Sequence, residues 1–387
     1  MLNLIADLLL RALGMAFAMA WEILWPLILG FTLSAVIEAV VSRREMARLL
    51  PDNRPRTIAK ALAIGAASSS CSYAAVAIAR SLFRKGADFI AAMAFEMAST
   101  NLVLELSIIM LVFLGWQFTL AEFIGAPIMV AFLVILLRIF LSRKLLEEAR
   151  IQADRGIAGR MEGHAEMDMS ITGGVSLWRR ITSDRGVTAI SHYFVMDWAS
   201  VWMDIIGGLL IAGALAAWVP NEFWQSFFLI DHPTLAKIWG PIVGPLIAVI
   251  AFVCSVGNIP LAAVLWNGGI SFGGVIAFIF ADLIVIPILN IYRKYYGLKM
   301  ASLLFATFYA AMAAAALIVE AIFGALGLVP GQRNARVVQA SLTWNYTTWL
   351  NIALLVLAAW LVRRFLKTGG TALLRMMNRP STMGRSH

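Results

Sequence analysis

Charged residues are scarce in this chain. Asp, Glu, Lys and Arg together make up 14% of its 387 residues, whereas hydrophobic residues make up 61%. Residues 239–289 contain a single acid, Asp282, and no base. Apolar runs of this length exclude an ordinary soluble domain and are typical of segments that cross a lipid bilayer. The composition therefore predicts an integral membrane protein.

Cysteine is also scarce, and the signatures of several other protein classes are missing. The two cysteines, Cys71 and Cys254, lie inside apolar segments, which excludes a disulfide-stabilised secreted fold. There is no Gly-x-x-x-x-Gly-Lys-Ser/Thr loop, so ATP hydrolysis would require a partner. We expect no cleavable signal, because the first apolar segment continues as a membrane span. No arrangement typical of an enzyme site stands out, so we predict neither an enzyme nor a cofactor.

The basic residues lie at the ends of the apolar runs, as in membrane proteins. The chain has 31 Lys and Arg against 22 Asp and Glu, a net charge of +9. These residues cluster at the ends of apolar runs, which is typical of side chains held on the cytoplasmic face and does not indicate nucleic-acid binding. The predicted partner is the lipid bilayer of the inner cell membrane, and self-association into a homo-oligomer is left open.

The chain is organised around a polar stretch inside an apolar run, Ser68-Ser69-Ser70-Cys71-Ser72-Tyr73. Small hydroxylated side chains compete for backbone hydrogen bonds, so the stretch predicts a helix break that lines a polar cavity. A second copy follows 183 residues later, because residues 71–98 match residues 254–281 without a gap. The identical pairs are Cys71/Cys254, Ser72/Ser255, Ala79/Ala262, Leu82/Leu265, Gly86/Gly269, Phe89/Phe272, Ala94/Ala277, Phe95/Phe278 and Ala98/Ala281.

Seven apolar segments predict full membrane spans, and two broken segments lie among them. The spans are near 13–41, 86–114, 121–141, 198–219, 268–290, 302–325 and 346–366, and the broken segments are 57–83 and 240–267. If all nine segments cross the membrane, the 31 Lys and Arg divide into 16 inside and 15 outside. If the two broken segments instead enter and leave on one side, 27 lie inside and 4 outside, which the positive-inside rule strongly favours.

Re-entrant broken segments give the two halves of the chain opposite orientations. The prediction is an all-α polytopic membrane protein with two inverted repeats, an outside N-terminus and a cytoplasmic C-terminus. The two hairpins then approach from opposite faces, with their tips near the midplane. The predicted divisions are a first membrane repeat at 1–141, a cytoplasmic linker loop at 142–197, a second membrane repeat at 198–330, and an additional span with a basic cytoplasmic tail at 331–387.

These motifs resemble the ArsP-type predicted permease family over most of residues 15–330. The resemblance rests on Ser69-Ser70-Cys71-Ser72, Arg84-Lys85-Gly86 and Ala94-Phe95, then on Cys254-Ser255, Gly268-Gly269 and Ala277-Phe278. It implies a permease, since the family is linked to export of trivalent organoarsenicals and some relatives to copper or zinc efflux. Ser69 stands where the family often has a first cysteine, and Ala77 where a proline follows the motif.

The two hairpin tips supply the candidate substrate-binding residues. Thiolate pairs suit Cu(I), Zn(II) or As(III), so Cys71 and Cys254 are candidate metal ligands; alternatively, each is a packing residue at a close helix approach. The polar candidates could replace the hydration shell of a solute, or could hydrogen-bond neighbouring helices. They are Ser69, Ser70, Ser72, Ser255 and Asn258.

Carboxyl groups inside apolar segments are the candidates for proton coupling. A charged carboxylate is expensive in hydrocarbon, so it must face a cavity, find a partner or carry a proton. Glu96, Asn101 and Asp282 are the predicted coupling residues, and Asp282 stands opposite Ser99 in the repeat alignment. Glu105 is the weaker candidate, because it is expected near the outer water.

The sequence therefore favours a membrane permease that exports a small solute, such as a metal or an organoarsenical-like metalloid, by alternating access. Proton coupling fits the buried acids. Two other classes stay open: a channel-like pore for a small ion or solute, and a membrane-embedded thiol-transfer protein that uses Cys71 and Cys254. Saturable, gradient-driven flux would distinguish the permease from both.

Overall fold

The computed structural model describes residues 2–40, 48–68, 72–154, 177–218, 221–251, 255–333, 335 and 346–377. Every regular element within these ranges is a helix. In the first half they are α1 (Leu2–Val40), α2 (Pro55–Ser68), α3 (Ser72–Arg84), α4 (Phe89–Asn101), α5 (Leu104–Phe113), α6 (Trp116–Phe140) and α7 (Arg143–Asp154).

The second half repeats this order after the short helix α8 (Leu177–Thr182). Its helices are α9 (Asp184–Trp218), α10 (Asn221–Phe227), α11 (Pro233–Ala251), α12 (Ser255–Gly268), α13 (Phe272–Phe280), a 3-10 turn (Ala281–Leu283), α14 (Ile286–Tyr296) and α15 (Leu298–Ala325). Two C-terminal helices follow, α16 (Tyr346–Lys367) and α17 (Gly370–Met377).

Two pairs of equivalent helices start 183 residues apart. Ser72 begins α3 and Ser255 begins α12, while Phe89 begins α4 and Phe272 begins α13. The longest helices of the two halves, α1 and α9, pack chiefly against each other. The helix order of the first half therefore recurs in the second at the offset that the sequence matches predicted.

The same tight turn joins the equivalent helices α3 to α4 and α12 to α13. Gly86 and Gly269 have φ of 100° and 113°, a conformation that side chains with a Cβ rarely adopt. The amide of each glycine donates to a carbonyl three residues earlier, that of Phe83 and that of Trp266. This turn gives a physical reason for the glycine at this place in each half.

A polar side chain caps the helix after each turn. Asp88 accepts a hydrogen bond from the Ala91 amide at the start of α4, and Ser271 accepts one from the Gly274 amide at the start of α13. Different residue types do this, because either side-chain oxygen can satisfy a free amide in the first turn of a helix.

Glycines let α2 approach α4, and α11 approach α13. A Cβ added at Gly65 would lie 2.6 Å from the Phe95 carbonyl oxygen, and one at Gly244 would lie 2.5 Å from the Gly274 carbonyl oxygen. Small residues at helix contacts are typical of membrane proteins, where packing and not water drives association. Each half thus holds its broken segment tightly against the following helix.

The two ends of each broken segment lie together. The Asp88 amide, after α3, donates to the Leu50 carbonyl, before α2, at 2.8 Å. In the second half, a Cβ at Gly240, near the start of α11, would lie 2.1 Å from Ser271 Oγ, after α12. Both segments are therefore helix hairpins whose start and end meet.

Four helices in the described part of the chain are long and apolar enough to cross a membrane: α6, α11, α15 and α16. The predicted spans 86–114 and 268–290 are bent helix pairs, at 42° and 41°, and counting each pair as one span raises the number to six. Large apolar side chains such as Ile139 and Ile250 are exposed on these helices, as lipid-facing residues are. The seven predicted full spans stay a prediction.

The predicted linker loop contains helices at both of its ends. Helix α7 occupies residues 143–154, and α9 begins at Asp184, before the predicted start of the span at 198. Hydropathy marks only the apolar part of a helix, and the start of α9 is more polar. Tyr193, Phe194 and Met196 are nevertheless buried there, so packing extends the helix beyond the apolar run.

Candidate functional site: a buried carboxyl cluster

The hairpin tips lie outside the described residues. This applies to Ser69, Ser70 and Cys71 in the first half and to Cys254 in the second. Ser255 begins α12, but its side chain also lies outside the described part, as does that of Glu105. The predicted thiol site and its serines therefore stay a prediction.

Ser72 and Asp282 join the two halves of the chain through a hydrogen bond. Ser72 is the first residue of α3, and its Oγ donates to Asp282 Oδ2 at 2.6 Å. Both residues are fully buried. Asp282 lies in the 3-10 turn between α13 and α14, at the bend of that helix pair. A predicted substrate-binding residue and a predicted coupling residue are thus in direct contact.

Glu96 and Tyr292 form the second buried hydrogen bond between the halves. The Tyr292 hydroxyl on α14 donates to Glu96 Oε1 on α4, and both residues are fully buried. No described residue hydrogen-bonds the other carboxyl oxygen, Oε2. The sequence predicted Glu96 but missed Tyr292, because the two residues are 196 positions apart.

Asn101 does not contact these acids through its hydrogen bonds. It ends α4, and its amide Nδ2 donates to the Met97 carbonyl and to Thr100 Oγ1, both at 3.0 Å. Within the described residues, its side-chain oxygen has no hydrogen-bond partner. Asn101 therefore lies at the bend between α4 and α5, the position in the first half that corresponds to the Asp282 turn.

Glu122 is a third buried acid that the sequence did not single out. It lies on α6 and is 1% exposed, and no described residue hydrogen-bonds either of its carboxyl oxygens. Asp282 lies near enough to act electrostatically on both Glu96 and Glu122. We call Glu96, Glu122 and Asp282 the carboxyl cluster. The sequence feature that could have revealed Glu122 is its position as an acid inside the predicted span 121–141.

Asn258 is a further unsatisfied polar side chain. It lies on α12 and is fully buried, and neither atom of its amide has a hydrogen-bond partner among the described residues. Buried amides nearly always have partners, so Asn258 is suited to a polar ligand or a water molecule. Among the described residues, no group of three or more His, Cys, Asp and Glu is placed to hold a metal ion.

A cavity of about 630 Å³ lies at the open end of the second hairpin. Trp266 at the end of α12, Gly115 and Gln117 at the start of α6, and Gly331 line it. Arg333 lies beside this cavity, donates to the Trp266 and Ile270 carbonyls at 3.0 and 2.7 Å, and covers the Trp266 ring. The volume is within the range of sites that hold small organic molecules.

Comparison with known proteins gives one family and one close relative. Residues 8–321 match the family model ArsP_1, described as Predicted permease. The chain is 62% identical over 338 residues to the protein named Putative permease Rv2963 of Mycobacterium tuberculosis, covering 87% of this chain and 83% of that protein. No solved structure matches the chain.

Proposed function

The chain belongs to the ArsP-type family of predicted permeases, and we propose that it exports a small solute across the inner membrane by alternating access. In this proposal, two inverted repeats surround the solute path, the two hairpins reach its middle from opposite faces, and proton movement through the carboxyl cluster drives export. The distribution of Lys and Arg supports an outside N-terminus and a cytoplasmic C-terminus.

The observation that carries the proposal is the position of the two hairpins along α6. At its start, the Phe118 ring lies 5.1 Å from the Trp266 ring, at the open end of the second hairpin. At its other end, Arg138 donates to the Asn53 carbonyl, at the open end of the first hairpin. With 25 residues at a rise of about 1.5 Å each, α6 is long enough to cross a membrane. These contacts support hairpins that open near opposite ends of α6, as the proposed inverted repeats require.

Other contacts agree with this sidedness. Gln152 Nε2 on α7 donates to the Lys294 carbonyl on α14, and Arg364 on α16 forms an ion pair with Asp184 on α9. If all nine segments crossed the membrane, both contacts would join residues on opposite faces. With re-entrant hairpins, all four residues lie on the cytoplasmic face.

The carboxyl cluster lies where a coupling site is needed. Two hydrogen bonds of the cluster, Ser72 to Asp282 and Tyr292 to Glu96, each connect one half of the chain to the other. A change in the relative position of the repeats would break these bonds, and so would a change of protonation. Proton binding and the alternation between inward and outward states are thereby linked in the proposal.

The proposed solute is a metal or metalloid species, with an organoarsenical as the first candidate. Cys71 and Cys254 at the hairpin tips are the proposed soft ligands, and Ser69, Ser70, Ser72, Ser255 and Asn258 are the proposed polar contacts. The amide of Asn258, which has no hydrogen-bond partner among the described residues, supports a polar ligand near α12. The cavity beside Trp266 lies on the proposed exit side.

The proposal is tested with purified protein in liposomes. A thermal-shift screen against trivalent organoarsenicals, Cu(I), Zn(II), sulfur oxyanions and small organic acids selects the solute, whose flux is then measured with and without a pH gradient. We expect saturable flux that follows the gradient. Flux without saturation or coupling would identify a channel-like pore, and covalent labelling of Cys71 or Cys254 during turnover would identify a thiol-transfer protein.

Replacement of Glu96 tests the coupling in the same assay. Glu96→Gln keeps the size and the hydrogen-bond acceptor for Tyr292 but cannot exchange a proton, so we expect loss of pH-driven flux with solute exchange retained. Glu320→Gln is the matched control, because Glu320 is a buried acid that accepts from the Gly273 amide outside the cluster. If Glu96→Gln lowers exchange as much as driven flux, or leaves both unchanged, Glu96 has no coupling role.

A further inference from the structure

Among the described residues, Glu122 has no hydrogen-bond donor, unlike the other two acids of the carboxyl cluster. Glu96 accepts from Tyr292, and Asp282 accepts from Ser72. Glu122 is as deeply buried, yet neither of its carboxyl oxygens has a hydrogen-bond partner among the described residues. An ionised carboxylate without a donor or a cation is far more costly to bury than a neutral acid.

Contacts one turn before and one turn after Glu122 show which helix packs against its face of α6. The Phe118 ring, one turn before, lies 4.6 Å from the Phe272 ring of α13. One turn after, a Cβ added at Gly125 would lie 2.8 Å from the Phe280 ring of α13. The face of α6 that carries Glu122 therefore packs against α13, whose C-terminal end leads directly to Asp282.

The charged groups around Glu122 are almost all acids. Helix α6 packs against α4, α5, α13 and α15. The titratable side chains on these helices and in the 3-10 turn after α13 are Glu96, Glu105, Asp282, Lys299, Tyr309 and Glu320. Lys299 is exposed at the start of α15, and its ammonium lies 3.9 Å from Glu148. Within the described residues, Asp282 is the group whose charge acts on Glu122, and it is an acid too.

We propose that Glu122 is a proton-binding residue of this permease in addition to Glu96: it holds a proton while the two repeats are closed around it and releases the proton when they move apart. The step breaks the O–H bond of the carboxylic acid and passes the proton to a water molecule that enters the opened cluster. A proton fits this environment, since it needs a single carboxyl oxygen. The proposal rests on the permease function proposed above.

The hydrogen bond between Ser72 and Asp282 links proton release from Glu122 to the movement of the repeats. Ser72 of the first repeat donates to Asp282 of the second, and both acids, Asp282 and Glu122, are buried in this arrangement. Movement of α3 away from the 3-10 turn removes that hydrogen bond and lets water reach both acids. Proton loss from Glu122 then accompanies the separation of the repeats that carries the solute.

Infrared spectroscopy of the protein in lipid nanodiscs tests this proposal without any transport measurement. A protonated carboxyl group has a C=O absorption that disappears when the proton leaves. We expect the protonated-carboxyl absorption of the wild type at neutral pH to lose the contribution of one carboxyl group in Glu122→Gln and to keep that contribution in Glu320→Gln. Glu122→Asp keeps an acid and should shift the absorption without removing it, which covers the case in which the glutamine variant does not fold.

The outcomes separate this proposal from the permease function. If the Glu122-dependent absorption is present but no solute moves in liposomes, the proton site stands and the transport proposal fails. If solute moves but the wild type and Glu122→Gln have the same carboxyl absorption, Glu122 is not a proton-binding residue. Bleaching of the absorption by Na⁺ at constant pH would assign the site to a metal cation and overturn the proposal.

Discussion

Removal of the Tyr292 hydroxyl is the sharpest test of the contact between the two repeats. Tyr292→Phe deletes one oxygen and keeps the ring, which lies 6.4 Å from the Tyr296 ring and 6.0 Å from the Phe308 ring. The hydroxyl is the donor to Glu96 Oε1 in a fully buried place. Glu96→Met removes the acceptor and approximates its shape.

The expected magnitudes follow from the burial of the pair. A hydrogen bond between neutral groups contributes about 0.5–1.5 kcal/mol, and a buried polar group that has lost its partner, as in each single variant, costs about 1–3 kcal/mol. The double variant leaves no polar group of this pair without its partner, so its free energy of unfolding should be no lower than that of either single variant. The coupling free energy between the two substitutions should therefore be about 1–3 kcal/mol.

The assay is reversible unfolding in mixed micelles with increasing SDS, and the quantity compared is the free energy of unfolding. Tyr309→Phe combined with Glu96→Met is the control cycle, because the Tyr309 hydroxyl donates elsewhere, to the Ile242 carbonyl at 2.8 Å. That cycle should be additive. A coupling below about 0.5 kcal/mol for Tyr292 with Glu96 would refute the contact.

Two further predictions concern the arrangement of the hairpins. In a background with Cys71 and Cys254 changed to serine, single cysteines at the exposed positions Lys85 and Gln332 should react with an impermeant thiol reagent from opposite faces, with Lys85 on the cytoplasmic side; labelling from one face would rule out inverted hairpins. In the unmodified chain, mild oxidation or a short bis-thiol crosslinker should join Cys71 to Cys254 and block transport. Failure to crosslink, with both thiols reactive, would exclude a shared site, because a disulfide needs Cα atoms within about 7 Å.

The repeat could be read from the sequence because it depends on local rules. The matched glycines Gly86 and Gly269 supply the positive φ that both turns need, and the helices that follow start 183 residues apart. The charge count also needed no tertiary information, since it uses only the order of apolar runs and basic residues. The start of α9 was harder to predict from the sequence, because burial of Tyr193 and Phe194 extends that helix beyond its apolar part.

The candidate site was only partly predictable. Glu96 and Asp282 could be identified because they are acids in apolar segments. No local pattern indicated that Tyr292 donates to Glu96 or that Ser72 donates to Asp282. The sequence also predicted Asn101 as a coupling residue, but its amide donates only within α4. Glu122 was missed because it lies near the start of a predicted span, where an acid normally reaches the interface.

The sequence by itself determined the class of the protein, its helical composition and the spacing at which similar segments recur, and it predicted which side of the membrane the basic residues occupy. These properties follow from composition, spacing and single-residue backbone preferences, which act over a few positions. Only the tertiary structure decided which acids meet, which of them has a donor, and that the hairpins open at opposite ends of α6. Such contacts join residues as far as 210 positions apart, and they arise from helix packing that no local pattern encodes.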